Sequence, residues 1–223
     1  MFYDLQPLWL TFQLALIVTI ILFVLGIPLA YWISFSKSRF KYIVETLVSM
    51  PLVLPPTVIG FYLLVAFSPQ HFLGHFLETF LGVRVVFSFT GLVIGSVLFS
   101  LPFMVNPIKA AMQNFSYALM EASYCLGKSP SQTLHRVILP NIKPALLTGI
   151  VMAFAHTIGE FGVVLMIGGN IPGETRVASI AIYNEVEALN YDTAGVYALM
   201  LVVISFCILL AFYYLNRKTV KVF

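Results

Sequence analysis

The sequence predicts an all-helical integral membrane protein, and three observations support that prediction. Hydrophobic residues make up 60% of the 223 residues and charged residues only 9%, whereas a soluble domain carries about a quarter charged residues. Five apolar stretches each approach or exceed the ~20 residues that a membrane-spanning helix needs. No alternating barrel pattern is present, and backbone groups in hydrocarbon must be satisfied within their own segment, so helices are the expected structure.

The five expected spans occupy most of a single domain, residues 1–223. They cover roughly residues 8–35, 43–67, 87–111, 142–167 and 194–215. The first stretch is too long for the apolar part of a cleavable signal peptide and no Lys or Arg precedes it, so we expect a permanent span. An alternative with six spans would place the outer segment 174–192 in the membrane, but its four carboxylates argue against this.

The basic residues predict the orientation of the chain. Ten of the 12 Lys and Arg residues lie on one side of the five-span arrangement, and only Arg84 and Arg176 lie on the other. Basic residues concentrate on the cytoplasmic side of membrane proteins. We therefore expect the N-terminus outside, the C-terminus in the cytoplasm, and the loop between the third and fourth spans in the cytoplasm.

That cytoplasmic loop, about residues 113–141, carries the signals of two short helices. The first is expected over residues 117–126 and to end at Gly127, where a glycine permits a reversal. Residues 129–132 fit a capping box with proline at the first helical position, and Pro140 is expected to limit the second helix. Leu134, Val137 and Ile138 give this helix an apolar stripe. It could lie on lipid headgroups or dock a cytoplasmic partner.

The same loop resembles the EAA loop of ABC-importer permeases. The match consists of Glu-Ala-Ser at 121–123, glycine at 127, and Val-Ile-Leu-Pro at 137–140. Ser123 stands where that family has a second alanine, and Val137 where it has isoleucine. The resemblance implies a coupling helix that seats in a groove on a separate ATPase. The implied coupling residues are Glu121, Ala122, Ser123, Gly127, Leu134, Val137, Leu139 and Pro140.

Three further stretches, residues 50–60, 155–162 and 169–176, are similar to the molybdate permeases of bacterial importers. Sulfate and thiosulfate permeases share these features less closely, so sulfate is the alternative cargo and tungstate a close analogue of molybdate. The resemblance implies a type I ABC-importer permease in the bacterial inner membrane, working as a homodimer with two cytoplasmic ABC ATPases and an outer oxyanion-binding protein. ATP and Mg²⁺ would then bind the partner ATPase, and this chain would bind no cofactor and hydrolyse nothing.

Prolines in the second span suggest that it lines the interior of the protein. Pro51, Pro55 and Pro56 cannot continue a helix without freeing carbonyl groups. Such groups are tolerated in a membrane only beside protein or a water-filled cavity. A simple packing kink is the alternative interpretation.

The fourth span carries Glu160, the one carboxylate deep within a predicted span. Intramembrane carboxylates are functional candidates, but a bare carboxylate repels an anion. We therefore expect Glu160 to have a structural or gating role, with its charge hidden by His156 one turn earlier or by a neighbouring helix. The predicted path and gate residues are Pro55, Pro56, Thr57, Thr157, Gly159, Glu160 and Gly162.

The outer segment of residues 168–190 is polar and contains a Pro-Gly turn. It is expected to be the docking surface for the binding protein, through Asn170, Pro172, Gly173 and Arg176; a plain connector is the alternative. No metal site is expected, since His71 and His75 are too few ligands, and no basic cluster suggests nucleic acid. An ion-coupled secondary transporter, using Glu160 and His156, is a rival hypothesis, whereas a membrane enzyme lacks a catalytic constellation.

Overall fold

The computed structural model describes the backbone of residues 4–220 and the side chains of residues 4–214. Regular structure in that range is entirely helical, with no strand, and this confirms the predicted fold class. The helices are α1 (Gln6–Phe35), α2 (Phe40–Ser49), α3 (Pro56–Phe67), α4 (Phe72–Leu81), α5 (Phe89–Gln113), α6 (Tyr117–Cys125), α7 (Pro130–Thr133), α8 (Leu139–Asn141), α9 (Lys143–Ile158), α10 (Gly162–Gly168), α11 (Ala178–Glu187) and α12 (Tyr191–Val220).

The predictions for the two chain ends fall outside this range. Met1 and its neighbours up to residue 3 are not described, nor are residues 221–223. Among the basic residues that predict a cytoplasmic C-terminus, Arg217, Lys218 and Lys221 lie beyond the described side chains. The orientation of the termini therefore remains a prediction from charge.

Three continuous helices are long and apolar enough to cross a membrane. They are α1, α5 and the part of α12 from Tyr191 to Tyr214. Trp9 and Trp32 are both exposed near opposite ends of α1, at a separation of about 35 Å for a rise of ~1.5 Å per residue. Tryptophan concentrates at the two membrane surfaces, so this spacing matches one bilayer.

Two further spans are bent pairs of helices. Phe40–Leu52 and Pro56–Phe67 meet at 114°, and Pro130–Asn141 and Lys143–Ile158 meet at 79°. If each pair counts once, the described chain has the five predicted spans. The sixth span considered above corresponds to α11, whose 10 residues reach only about 15 Å, too short to cross.

The second span is broken rather than continuous over residues 43–67 as predicted. A short 3-10 turn, Met50–Leu52, follows α2, and α3 starts afresh at Pro56. Pro55 is held in an extended conformation with ψ 137°, because a residue before proline is driven out of the helical region. Pro56 then occupies the first helical turn, where its missing N–H is not required. The consecutive prolines thus cause a break, which is more than the simple kink considered as the alternative.

The fourth span is also interrupted. The continuous stretch predicted over residues 142–167 is wrong, since α9 ends at Ile158 and α10 begins only at Gly162. Glu160 therefore lies in an irregular segment between two helices. This segment and the break before Pro56 face each other, because α10 packs directly on α3.

The core of the bundle is the three-way contact of α1, α5 and α9. Met104 on α5 is fully buried between the other two helices. A Cβ added at Gly26 would lie 2.9 Å from Met104 Cγ, and one added at Gly149 would lie 3.1 Å from the Met104 carbonyl oxygen. Small residues at these positions let the helices approach closely, as is usual in membrane bundles.

Candidate functional site

The two broken spans meet at a cavity of about 550 Å³. It is bounded by the start of α3, the end of α9 and the start of α10, with Phe99 of α5 on its wall. Five of the seven predicted path residues line it: Pro56, Thr57, Gly159, Glu160 and Gly162. Pro55 lies one residue before the cavity wall, and Thr157 is buried behind it.

Gly162 fixes how closely α10 approaches α3 at this cavity. A Cβ placed on Gly162 would lie 2.7 Å from Pro56 Cβ and 3.3 Å from the Thr57 nitrogen. Gly159 is different, since the nearest atom to an added Cβ is a carbonyl oxygen of its own helix at 3.8 Å. Of the two glycines that flank Glu160, only Gly162 is required by a close contact.

Glu160 is 5% exposed, and neither carboxylate oxygen has a hydrogen-bond partner among the described residues. The predicted pairing with His156 is wrong, because α9 ends before Glu160 and the two side chains do not share a helical face. The hydroxyl of Ser96 on α5 is buried beside the carboxylate but outside hydrogen-bonding geometry, and it has no partner among the described residues. The backbone of Glu160 is held instead, since Ser179 Oγ on α11 donates to its carbonyl oxygen at 2.7 Å.

His156 is the polar side chain that sequence analysis did not assign to the path. It lines the cavity, and its ring stacks on Phe103 with centroids 3.9 Å apart. Its Nδ1 lies 2.9 Å from Ser100 Oγ, which lies 3.1 Å from Thr157 Oγ1. The sequence signal was a histidine one turn before Glu160, but the partner Ser100 is 56 residues away and could not be identified from spacing.

The predicted coupling loop folds as a compact hairpin, residues 117–141. Gly127 has φ +74°, the left-handed conformation expected at the reversal. Ser129 and Gln132 form the predicted capping box, with both side-chain-to-backbone hydrogen bonds present. Ile138 of the apolar stripe is fully buried against the bundle, so the stripe attaches the hairpin to the membrane part.

The coupling residues divide into an exposed group and a buried one. Glu121, Ala122, Gly127 and Pro140 are exposed, and Leu134, Val137 and Leu139 are half-buried. Ser123 is buried, and its hydroxyl lies 2.9 Å from that of buried Thr133. Ser123, at the position where the EAA loop has alanine, therefore joins the two arms through its hydroxyl.

The second arm ends at Asn141, one residue after Pro140, close to the limit predicted for it. The helix continues through Pro140 after a π-helical stretch at Leu134–Ile138. In that stretch the Leu139 N–H bonds the Leu134 carbonyl, one residue further back than in an α-helix. The wider turn gives the Pro140 ring room and removes the need for its missing N–H.

The predicted docking residues of the outer segment share one polar surface. Asn170 Oδ1 accepts from Arg176 Nε at 2.7 Å, and the side-chain amides of Asn170 and Asn184 bond each other at 2.9 Å. Gly173 has φ +81°, and its carbonyl accepts from the Gln6 side chain on α1. Pro172 lies exposed on the same turn. The segment is thus an ordered surface fixed to the start of α1.

On α11, Tyr183 donates a hydrogen bond to Glu187 Oε1 at 2.5 Å. This bond raises the pKa of the Tyr183 hydroxyl above its ordinary value.

Across the described residues, no three His, Cys, Asp or Glu side chains come together as a metal site.

A helical membrane bundle with a cavity between two broken spans and a capped hairpin at one loop is the architecture of a transporter's membrane-spanning subunit. A family model agrees: residues 23–221 match the binding-protein-dependent transport system inner membrane component. The chain belongs to this family. Its members are membrane permeases, which accounts for the composition and the broken spans together.

Individual relatives are similar over nearly the whole chain. The molybdenum transport system permease protein ModB of Azotobacter vinelandii is 43% identical over 96% of this chain and 95% of its own length. A putative molybdenum transport system permease protein of Bacillus subtilis is 34% identical over 96% and 93%. A probable sulfate transport system permease protein of Marchantia polymorpha is 31% identical over 93% and 70%.

Two solved structures share the fold at low sequence identity. The MetNI methionine ABC transporter, crystallised in inward-facing conformations, matches with a TM-score of 0.75 at 17% identity, over 96% of this chain and 95% of that one. A bacterial ABC transporter for alginate matches with a TM-score of 0.80 at 19% identity, over 96% and 79%. The predicted ABC-importer permease fold is therefore confirmed.

Proposed function

We propose that this chain is the permease subunit of an ATP-driven importer of molybdate. The observation that carries the proposal is the 43% identity to a molybdenum permease over nearly all of both chains. The cavity between the broken spans supports the proposal, because residues of α3, α5, α9 and α10 together line it and could form the wall of a path. Sulfate is the second candidate cargo because sulfate permeases are also relatives, at lower identity.

The 117–141 hairpin is the proposed contact with a separate cytoplasmic ATPase, where ATP and Mg²⁺ bind. Three apolar side chains on its first arm and turn, Tyr117, Leu119 and Leu126, are about half to four-fifths exposed. Exposed apolar residues grouped on a polar-rimmed surface are typical of a protein interface. A groove on the ATPase would cover them, and nucleotide-driven motion would reach α9 through the 79° bend at Asn141–Lys143.

The path itself is proposed to lie between two copies of the chain. Pro56 and Thr57 are exposed at the cavity wall, so a single chain leaves the cavity open on that side. A second copy would close it. The outer surface around Asn170 and Arg176 would dock the binding protein. The N-terminus would then lie outside, and the 117–141 hairpin would lie in the cytoplasm beneath a bacterial inner membrane.

The cavity composition suits passage rather than tight capture. No Lys or Arg is among the described residues that line it, and conduction requires sites that release their cargo readily. A separate binding protein would supply affinity and selectivity.

The direct test is transport by the reconstituted complex. The chain, its partner ATPase and the oxyanion-binding protein are placed in proteoliposomes with ATP inside, and uptake of labelled molybdate is measured. We expect uptake that depends on ATP and is competed by tungstate more strongly than by sulfate. Stronger uptake of sulfate would assign the chain to the second cargo. Uptake without ATP that collapses with an uncoupler would favour the ion-coupled transporter instead.

A further inference from the structure

We infer that His156 donates a hydrogen bond from Nε2 to the oxyanion as it passes through the cavity. The inference rests on the proposed function and adds a cargo-contacting residue that the sequence comparison with permeases did not identify.

The imidazole ring is fixed in place on two sides. It stacks on Phe103 at 3.9 Å and packs against Phe99 at 4.9 Å between centroids. Its Nδ1 is held by Ser100 Oγ at 2.9 Å. A ring restrained by stacking and by one hydrogen bond presents its second nitrogen in a defined direction, so little order has to be imposed when cargo arrives.

The hydroxyl groups behind the ring permit the tautomer that carries its proton on Nε2. Thr157 Oγ1 donates to the Ala153 carbonyl at 2.9 Å and lies 3.1 Å from Ser100 Oγ. With the Thr157 proton donated to the Ala153 carbonyl, Ser100 Oγ can donate to His156 Nδ1 or accept a hydrogen bond from it, and an anionic oxygen at Nε2 selects the arrangement in which Ser100 donates. A neutral imidazole that accepts at Nδ1 carries its hydrogen on Nε2.

The Nε2 atom is available to cargo. It makes no hydrogen bond to any residue in the described part of the chain, and it is not fully buried. His156 lines the cavity and its Nδ1 is turned towards Ser100, so Nε2 is the ring nitrogen left for cargo. An N–H in a partly desolvated cavity binds an anionic oxygen more strongly than a neutral one.

Glu160 does not oppose this contact directly. It is the one acidic residue among the described residues of the cavity wall, but both of its carboxylate oxygens are buried with almost no accessible surface. Cargo in the cavity therefore meets the imidazole edge and the Thr57 side chain rather than the carboxylate.

The test compares two replacements of His156 in the reconstituted complex. Glutamine keeps an N–H donor, whereas leucine removes it at similar volume. With saturating molybdate-loaded binding protein, H156L should lower the initial uptake rate on the order of tenfold, the usual cost of one hydrogen bond to a charged group. H156Q should retain most of the rate. Met152→Leu, one turn away on α9 and facing outward, is the matched control.

Ser100 serves as a check on the positioning step. Ser100→Ala should lower uptake in the wild-type background and have no further effect in the H156Q background, since glutamine does not depend on a tautomer. Assembly of each variant with the ATPase is measured alongside.

Three results would overturn the inference. Uptake by H156L at the wild-type rate would exclude a cargo contact. Equal losses in H156Q and H156L, with assembly intact, would show that ring packing and not donation matters. Absence of both molybdate and sulfate uptake by the wild-type complex would remove the proposed function, and this inference with it.

Discussion

The hydroxyls of Ser123 and Thr133 lie 2.9 Å apart inside the 117–141 hairpin, and both residues are buried. They join the two arms of the element that is proposed to contact the ATPase. A buried hydroxyl that loses its partner lowers the free energy of unfolding by ~1–3 kcal/mol. This pair therefore stabilises the contact between the two arms of the hairpin.

Replacing one residue of this pair leaves the other hydroxyl buried without its partner. Each single replacement should therefore cost more than half of the stability lost in the double replacement. Ser123→Ala and Thr133→Val should each destabilise the purified chain by about 1 kcal/mol, and the double variant by less than their sum. Thermal unfolding in detergent measures the three values. Strictly additive effects would show that the two hydroxyls are not coupled.

Gly127 should be required for its backbone conformation alone. An added Cβ meets nothing within 4 Å, but φ is +74°, where an L-residue costs roughly 1 kcal/mol. Gly127→Ala should therefore distort the hairpin turn and reduce ATP-driven uptake, while Gly127→Asn should be milder because asparagine tolerates this conformation.

Gly82 provides the matched control, with φ +62° and equally open surroundings at the end of α4. Gly82→Ala carries the same backbone cost outside the hairpin and should leave the coupling of ATP hydrolysis to uptake intact. If Gly82→Ala impairs coupling as much as Gly127→Ala, general strain rather than the hairpin explains the loss.

The glycines on either side of Glu160 should differ in their tolerance of alanine. Gly162→Ala would bring a methyl group to 2.7 Å from Pro56 Cβ, and such overpacking typically costs about 1–3 kcal/mol. Gly159→Ala finds nothing closer than 3.8 Å and should leave the thermal stability of the purified chain nearly unchanged. Equal stabilities for the two variants would mean that α3 and α10 can separate freely.

Glu160→Gln should spare most of the transport activity. Both carboxylate oxygens are buried and have no partner among the described residues, so a neutral side chain of the same shape should preserve the packing between α9 and α10. Uptake by the reconstituted complex is the measurement. A complete loss of uptake in a properly assembled E160Q complex would show that the charge itself is needed.

The sequence predicted local features well where neighbouring residues decide the structure. The capping box at Ser129 and the reversal at Gly127 depend on a few adjacent residues, and both are present. Apolar length likewise predicts five spans, which the structure reproduces when the bent pairs are counted once.

The sequence could not reveal features that depend on distant residues. Apolar length predicts one continuous span over residues 142–167, and the helical face expected to join His156 and Glu160 is lost at the break after Ile158. The contact of His156 with Ser100, and that of Gly162 with Pro56, join residues far apart in the chain. Only the packing of α3, α5, α9 and α10 reveals them.

The central claim is that the 117–141 hairpin transmits the work of a separate ATPase to the cavity. Leu126 at the hairpin turn is 79% exposed, so Leu126→Asp should leave the fold intact while disrupting an apolar contact. The measurement is the amount of ATPase that co-purifies with the chain, together with ATP-driven molybdate uptake. Leu189→Asp, at a similarly exposed position between α11 and α12, is the control for ATPase binding. The account predicts that L126D loses both the ATPase and uptake, whereas normal co-purification and uptake by L126D would contradict it.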